Sequence, residues 1–278
     1  MKVDVTASTG VTVPYLSRRS ILAAMTGAAA VGPAAFPAAR AVAADTFASN
    51  TALYADPSVD EGTDYARRHR RHASYDDSET GAATYPTTVI LALHGGGIEP
   101  GTSELCLAIA GYHPADQSPV PAGGPVYDYW MFEGIRSTNN SELHVTSTHC
   151  DDPVGWSLAR GARRAVSLHG CSPAQAGVPA GTSAVIGGGL DTDLRTALLA
   201  AYAGVGIVAI DAVGNPDLGG TDPQNIVNRT MTGAGAQLEL TTPMRTAMFT
   251  TNTRPQRRHT TTSAFWRFVE ATRAALAN

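Results

Sequence analysis

Cysteine is scarce in this chain of 278 residues: Cys106, Cys150 and Cys171 are the only three. An odd number rules out a complete disulfide framework. A Cys150–Cys171 bridge and buried reduced thiols stay equally open, because a free cysteine packs as a small hydrophobe. A basic excess is also lacking. The net charge of −4 gives no overall basic footprint for nucleic acid. No apolar run is long and unbroken enough for a spanning helix, since the Ala-rich stretch is interrupted by Gly32, Pro33, Pro37 and Arg40. No internal repeat occurs, and no complete G-x-S-x-G is present.

What the amino end does hold is a pair of arginines. Arg18-Arg19, flanked by Ser17 and followed by Ile21 and Leu22, leads through the Ala-rich stretch to small residues at Ala41-Val42-Ala43 or Val42-Ala43-Ala44. That is the grammar of a twin-arginine export signal and its cleavage site. Residues 1–44 are therefore expected to be the signal and 45–278 the working domain. The product is expected to be secreted, monomeric and free of the membrane once the signal is removed. Lys2, Arg18, Arg19 and Arg40 against Asp4 give the signal +3, so the remainder carries −7 where the whole chain carries −4.

Residues 45–86 are polar and contain the run Arg67-Arg68-His69-Arg70-Arg71-His72. A solvated helix face or loop is the plain expectation; a basic rim for an anionic substrate is the sharper one. Five segments read as strands from their β-branched and apolar content: 87–94, 143–148, 164–169, 206–211 and 236–241. Helical pattern falls at 103–110, with Thr102 or Ser103 as N-cap, and at 193–202. In the tail 263–276, Phe265, Phe268, Val269, Thr272 and Leu276 share one helical face. Residues 116–124 and 174–181 are Pro- and Gly-rich connections. Alternating strands and helices argue for one α/β domain with a mostly parallel sheet.

The chemistry gathers at strand ends. His94 follows the apolar run Val89-Ile90-Leu91-Ala92-Leu93, three glycines turn the chain, and Glu99 folds back. The carboxyl end of a buried strand is where open α/β sheets build their sites. His169 repeats the grammar: an apolar strand, a histidine, then Gly170. Two imidazoles and a carboxylate with an open fourth position form a catalytic zinc set, so His94, Glu99 and His169 are the expected ligands of Zn2+. Glu239 shares a strand face with Gln237 and lies between Leu238 and Leu240. Burial there should raise its pKa, which suits a general base. Asn225, Asn228, Arg229 and Arg245 are the candidate partners for substrate carboxylates, arginine forks being suited to that group.

These pieces resemble the poly-γ-glutamate hydrolases, a zinc-peptidase group related to carboxypeptidases. The matching segments run in the family's order from EGTDY (61–65) through LHGGGIEPGTSE (93–104), YDYWMFEG (127–134), LHVTST (143–148), SLHGC (167–171), IGGGLDTDL (186–194) and PQNIVNR (223–229) to GAQLEL (235–240) with Arg245. The resemblance implies an open mixed sheet with helices on both faces, zinc held by His94, Glu99 and His169, and Glu239 as general acid/base. It also implies cleavage of γ-glutamyl amide bonds in poly-γ-glutamate or a γ-glutamyl peptide. Asn228, Arg229 and Arg245 would orient the substrate. Two departures stand out. His149-Cys150-Asp151-Asp152-Pro153 replaces a phenylalanine and an Asp-Glu-Pro run, and the loop at 116–125 is longer. His149 stays open as a ligand or substrate contact, while His144 reads as structural.

Two other readings compete. HGGG after a strand is also the oxyanion loop of serine esterases, but the nearest elbow, Gly155-Trp156-Ser157-Leu158-Ala159, lacks its last glycine. A non-catalytic polyanion binder would use the arginines alone.

Overall fold

The computed structural model describes residues 45–72, 87–120 and 124–277, which form one compact unit. The export signal expected at 1–44 and residues 121–123 of the loop at 116–124 lie outside the described residues.

The most apolar stretch sits at the centre of the sheet. All nine residues of β2 (Thr88–Gly96) are buried, as befits a strand covered on both faces. β3 (Asp128–Gly134) and β4 (Arg164–Cys171) run parallel to it on either side. β7 (Ala236–Thr241) is parallel to β4, and β5 (Ala184–Gly189) is antiparallel to β7. β6 (Val208–Asp211) ends one edge parallel to β5, and β1 (Tyr65–Arg70) ends the other antiparallel to β3. The order β1-β3-β2-β4-β7-β5-β6 is mixed and mostly parallel, as the sequence predicts.

Among the described residues, seven helices flank the sheet: α1 (Asn50–Ala55), α2 (Thr102–Ala110), α3 (Pro153–Gly161), α4 (Thr192–Gly204), α5 (Thr242–Ala247), α6 (Arg254–Arg257) and α7 (Ser263–Leu276). On one face, α2, α4 and α7 pack onto Ile90, Met131, Leu168, Leu238 and Leu240. On the other, Leu53 of α1, Leu158 of α3 and the irregular residues Leu143 and Val145 cover Leu91, Leu93, Trp130 and Phe132. The five residues assigned to the inner face of α7 are all buried. The cysteines are three buried free thiols, so Cys150 and Cys171 are not bridged.

Several expectations are corrected. Residues 143–148 form no strand; two short 3-10 turns, Asn140–Leu143 and Ser147–His149, bracket an extended link. The alternation of Leu143 and Val145 reflects burial against the second core, not pairing in the sheet. Three strands escape a search for apolar alternation. β1 reads YARRHR, with only Tyr65 buried; its charges suit an edge that must not recruit another strand. β3 is an aromatic run read only as a motif. β5 reads AVIGGG, and a Cβ at Gly188 would stand 2.4 Å from the Gly219 carbonyl oxygen, so its glycines serve close backbone packing. α2 is capped by Gly101 in the left-handed region at φ 104°, without a side-chain cap. Ser103 Oγ instead accepts from Gly96 N–H at 2.9 Å.

The basic run is not a helix but the edge strand β1 and the two residues that follow it. Arg67 grips Glu61 through two bonds of 2.9 and 2.7 Å and reaches Asp152 at 3.1 Å. Arg70 lies over the Tyr112 ring, Arg71 donates to Ser157 at 3.1 Å, and His72 meets Asp128 at 2.8 Å.

Candidate metal centre

The carboxyl ends of β2, β4 and β7 open into a cleft of about 620 Å³ lined by His94, Glu99, His144, His169, Gln237 and Glu239. After β2 the chain reverses tightly: Gly97 N–H donates to Gly134 O at 2.8 Å, and Glu99 N–H donates to His94 O at 2.8 Å. This turn returns the Glu99 carboxylate to the histidine five residues earlier. Its Oε1 stands 3.0 Å from His94 Nδ1, and its Oε2 accepts from Gly170 N–H at 2.9 Å. Because Gly96 and Gly97 N–H already have partners, the glycines form no oxyanion hole. Ser157 is an exposed residue within α3, not a strand-to-helix elbow, so the esterase reading has no nucleophile.

His94 and His169 are both nearly fully buried, and their Nδ1 atoms stand 3.1 Å apart. His169 Nδ1 lies 3.8 Å from Glu99 Oε2. His94 Nε2 donates to Val145 O at 2.9 Å, which commits the proton to that nitrogen and turns Nδ1 toward the cluster. Two imidazole nitrogens and carboxylate oxygens converging on one spot repel each other unless positive charge lies between them. The donor set of two nitrogens and a carboxylate fits a zinc-like ion.

Titration follows from the same geometry. Burial works against a charged His94, but the adjacent Glu99 carboxylate outweighs it and raises the pKa. Burial likewise opposes ionised Glu99, yet His94 holds it down at about 2. Burial and the neighbouring His94 push His169 down to about 3, leaving a neutral imidazole.

His94, Glu99 and His144 also offer one ligand atom each within 4.8 Å of one another. Ring geometry separates the two choices of second histidine. His144 stacks on His94, with centroids 3.9 Å apart and planes 30° apart, so their in-plane lone pairs run side by side. His169 meets His94 edge-on at 4.9 Å and 64°, an arrangement in which lone pairs converge.

Glu239 is the register partner of His169 across the parallel pair β4 and β7. Burial, then the Glu99 carboxylate, push its pKa up to about 8, in the direction predicted from its leucine neighbours. Its Oε1 accepts from Gln237 Nε2 at 3.0 Å, and Gln237 Oε1 accepts from Asn225 Nδ2 at 2.8 Å. This relay orients Glu239. Gln237, on the same strand face, and Asn225, a candidate substrate partner, are both visible in the sequence, but their pairing is not.

The remaining expected contacts have partners within the protein. Asn228 is buried and fully engaged: its Oδ1 accepts from Leu190 and Gly235 N–H, and its Nδ2 donates to the Gly220 and Asp222 carbonyls. Arg229 lies over the Trp156 ring at 4.8 Å and donates to Gln224 O. Arg245 is buried behind Gly170 and donates to Leu240 O, Pro100 O and Thr242 Oγ1. None of the three lines the cleft. In this structure their polar groups hold its walls.

Comparison with known proteins agrees with this fold. The chain is 30% identical over 198 residues to the UPF0714 protein YndL of Bacillus subtilis (strain 168), covering 70% of each. It is 32% identical over 181 residues to the SPbeta prophage-derived UPF0714 protein YoqZ of that organism, covering 65% of this chain and 58% of YoqZ. A solved bacteriophage poly-gamma-glutamate hydrolase superposes with a TM-score of 0.68 at 30% identity, over 84% of this chain and 97% of the phage protein. A zinc-free apo structure of YndL superposes with a TM-score of 0.67 at 27% identity, over 84% and 98%. The sequence profile of the poly-gamma-glutamate hydrolases matches residues 63–271, and the chain belongs to that family.

Proposed function

We propose that this hydrolase is zinc-dependent, is exported, and cleaves γ-glutamyl amide bonds in poly-γ-glutamate. The observation that carries the reading is the approach of His94, Glu99 and His169 to one another with Glu239 beside them in register. Zinc in the name of the related apo structure supports the choice of ion. The arginine pair Arg18-Arg19 supports twin-arginine export.

Zinc held by His94 Nδ1, His169 Nδ1 and Glu99 would polarise the scissile carbonyl and lower the pKa of a water to about 7. Glu239 takes the proton of the attacking water and delivers it to the departing amine. Gln237 and Asn225 keep its carboxylate turned to that task. A bound cation favours the ionised form of Glu239, offsetting the burial that raises its pKa.

The test is purified protein incubated with poly-γ-glutamate, with and without a chelator. The polymer should shorten, stop shortening on chelation, and shorten again on adding zinc. Glu239→Gln should keep its metal and lose turnover by about 10² to 10⁴-fold. A polymer of unchanged length across pH and added zinc contradicts the substrate assignment.

A further inference from the structure

Asp45, the first residue after the expected processing site, reaches the wall of the cleft. Its side chain is 8% exposed. Oδ1 stands 2.9 Å from His144 Nδ1, and Oδ2 accepts from Thr146 N–H at 2.7 Å and lies 3.3 Å from His149 Nδ1. One carboxylate thus gathers the irregular segment 144–149. That same segment supplies the Val145 carbonyl that fixes His94 and the ring that stacks on it.

We propose that Asp45 and His144 form a substrate-contacting pair, Asp45 as the positioning residue and His144 as the group that accepts the scissile amide N–H. The inference rests on the reading of this cleft as the hydrolytic centre. A carboxylate at Nδ1 places the imidazole proton there and leaves Nε2 as a bare acceptor. His144 lines the cleft, and its Nε2 has no hydrogen-bond partner among the described residues. A γ-glutamyl chain offers carboxylates and carbonyls, which are acceptors, and amide N–H groups, its only donors. Only the amide N–H can pair with a bare imidazole nitrogen. The stacking on His94 keeps His144 beside the metal donors without making it one of them.

The experiment uses metal-loaded Glu239→Gln protein labelled with ¹⁵N-histidine and titrated with a short γ-glutamyl oligomer. His144 should show a protonated Nδ1 and a bare Nε2, and Nε2 should shift as the oligomer binds. In the otherwise unaltered enzyme, Asp45→Asn leaves one acceptor oxygen, which the Thr146 N–H requires, so the new NH2 faces His144 Nδ1 and should move the proton to Nε2. It should lower kcat/KM by about 10- to 100-fold with metal content unchanged. His144→Ala should cost as much, and the double variant no more than either. A proton on Nε2 in the starting protein, no shift with oligomer, or loss of metal in His144→Ala overturns the pair. If Asp45→Asn does not fold, the titration of the Glu239→Gln protein decides alone. If the unaltered enzyme leaves poly-γ-glutamate intact, the proposed reaction fails while the nitrogen shifts still judge the contact.

Discussion

His169 and Glu239 face each other across β4 and β7 as Cα register partners. Leu168 and Leu238, one residue earlier on each strand, turn to the opposite face and enter the main core. The same alternation that buries the leucines therefore brings an imidazole and a carboxylate together at the mouth of the cleft. A slip of one residue in either strand would carry its polar group into the core.

Gly170 is predicted to be intolerant of a side chain. A Cβ there would stand 2.5 Å from Arg245 Cζ, and Arg245 is held by three hydrogen bonds. Gly170→Ala should destabilise the fold by about 1–3 kcal/mol, in the range of overpacked cores. It should also weaken metal binding, because Gly170 N–H steadies Glu99. Urea unfolding and metal competition measure both effects; a variant with unaltered midpoint and metal affinity contradicts the packing.

Glu239 gives the metal-free protein a distinctive pH dependence. Its folded pKa of about 8 lies above the ordinary 4.5. Stability relative to Glu239→Gln is then full below about pH 4.5 and declines as pH rises through about 8, where the buried carboxyl is forced to ionise. The decline should amount to on the order of a few kcal/mol. Chelated samples of both proteins, unfolded in denaturant from pH 4 to 9, give the difference curve. A flat curve contradicts the burial of this carboxyl.

Asn228 and Arg229 are predicted to part company. Asn228→Ala removes four hydrogen bonds to backbone groups. It should cost about 2–3 kcal/mol, since buried groups lose their partners. Arg229→Ala, away from the cleft, should leave KM for poly-γ-glutamate within about two-fold, surface changes being small. A large rise in KM for Arg229→Ala would instead mark it as a substrate contact.

Much of the donor cluster was legible because its grammar is local. A buried apolar strand ending in histidine and glycine marks both His94 and His169, and five residues suffice to return Glu99. The tail helix was legible because its five inner residues repeat at helical spacing over a length that pattern can establish. The rest depends on pairing at a distance. Asp45 contacts a segment about a hundred residues away, and Asn225 reaches Gln237 from a turn. The edge strand β1 hides behind its arginines. A guanidinium or carboxamide serves backbone carbonyls as readily as it serves substrate, so the sequence alone does not separate the two uses of the arginines and Asn228.

The most direct test of the account is a crystal structure of the zinc-loaded protein with anomalous data collected at the zinc edge. One strong peak is predicted, bound by His94 Nδ1, His169 Nδ1 and a Glu99 oxygen, with the Glu239 carboxylate beside the open position. A peak held by other residues, or none at this cleft under saturating zinc, would contradict it.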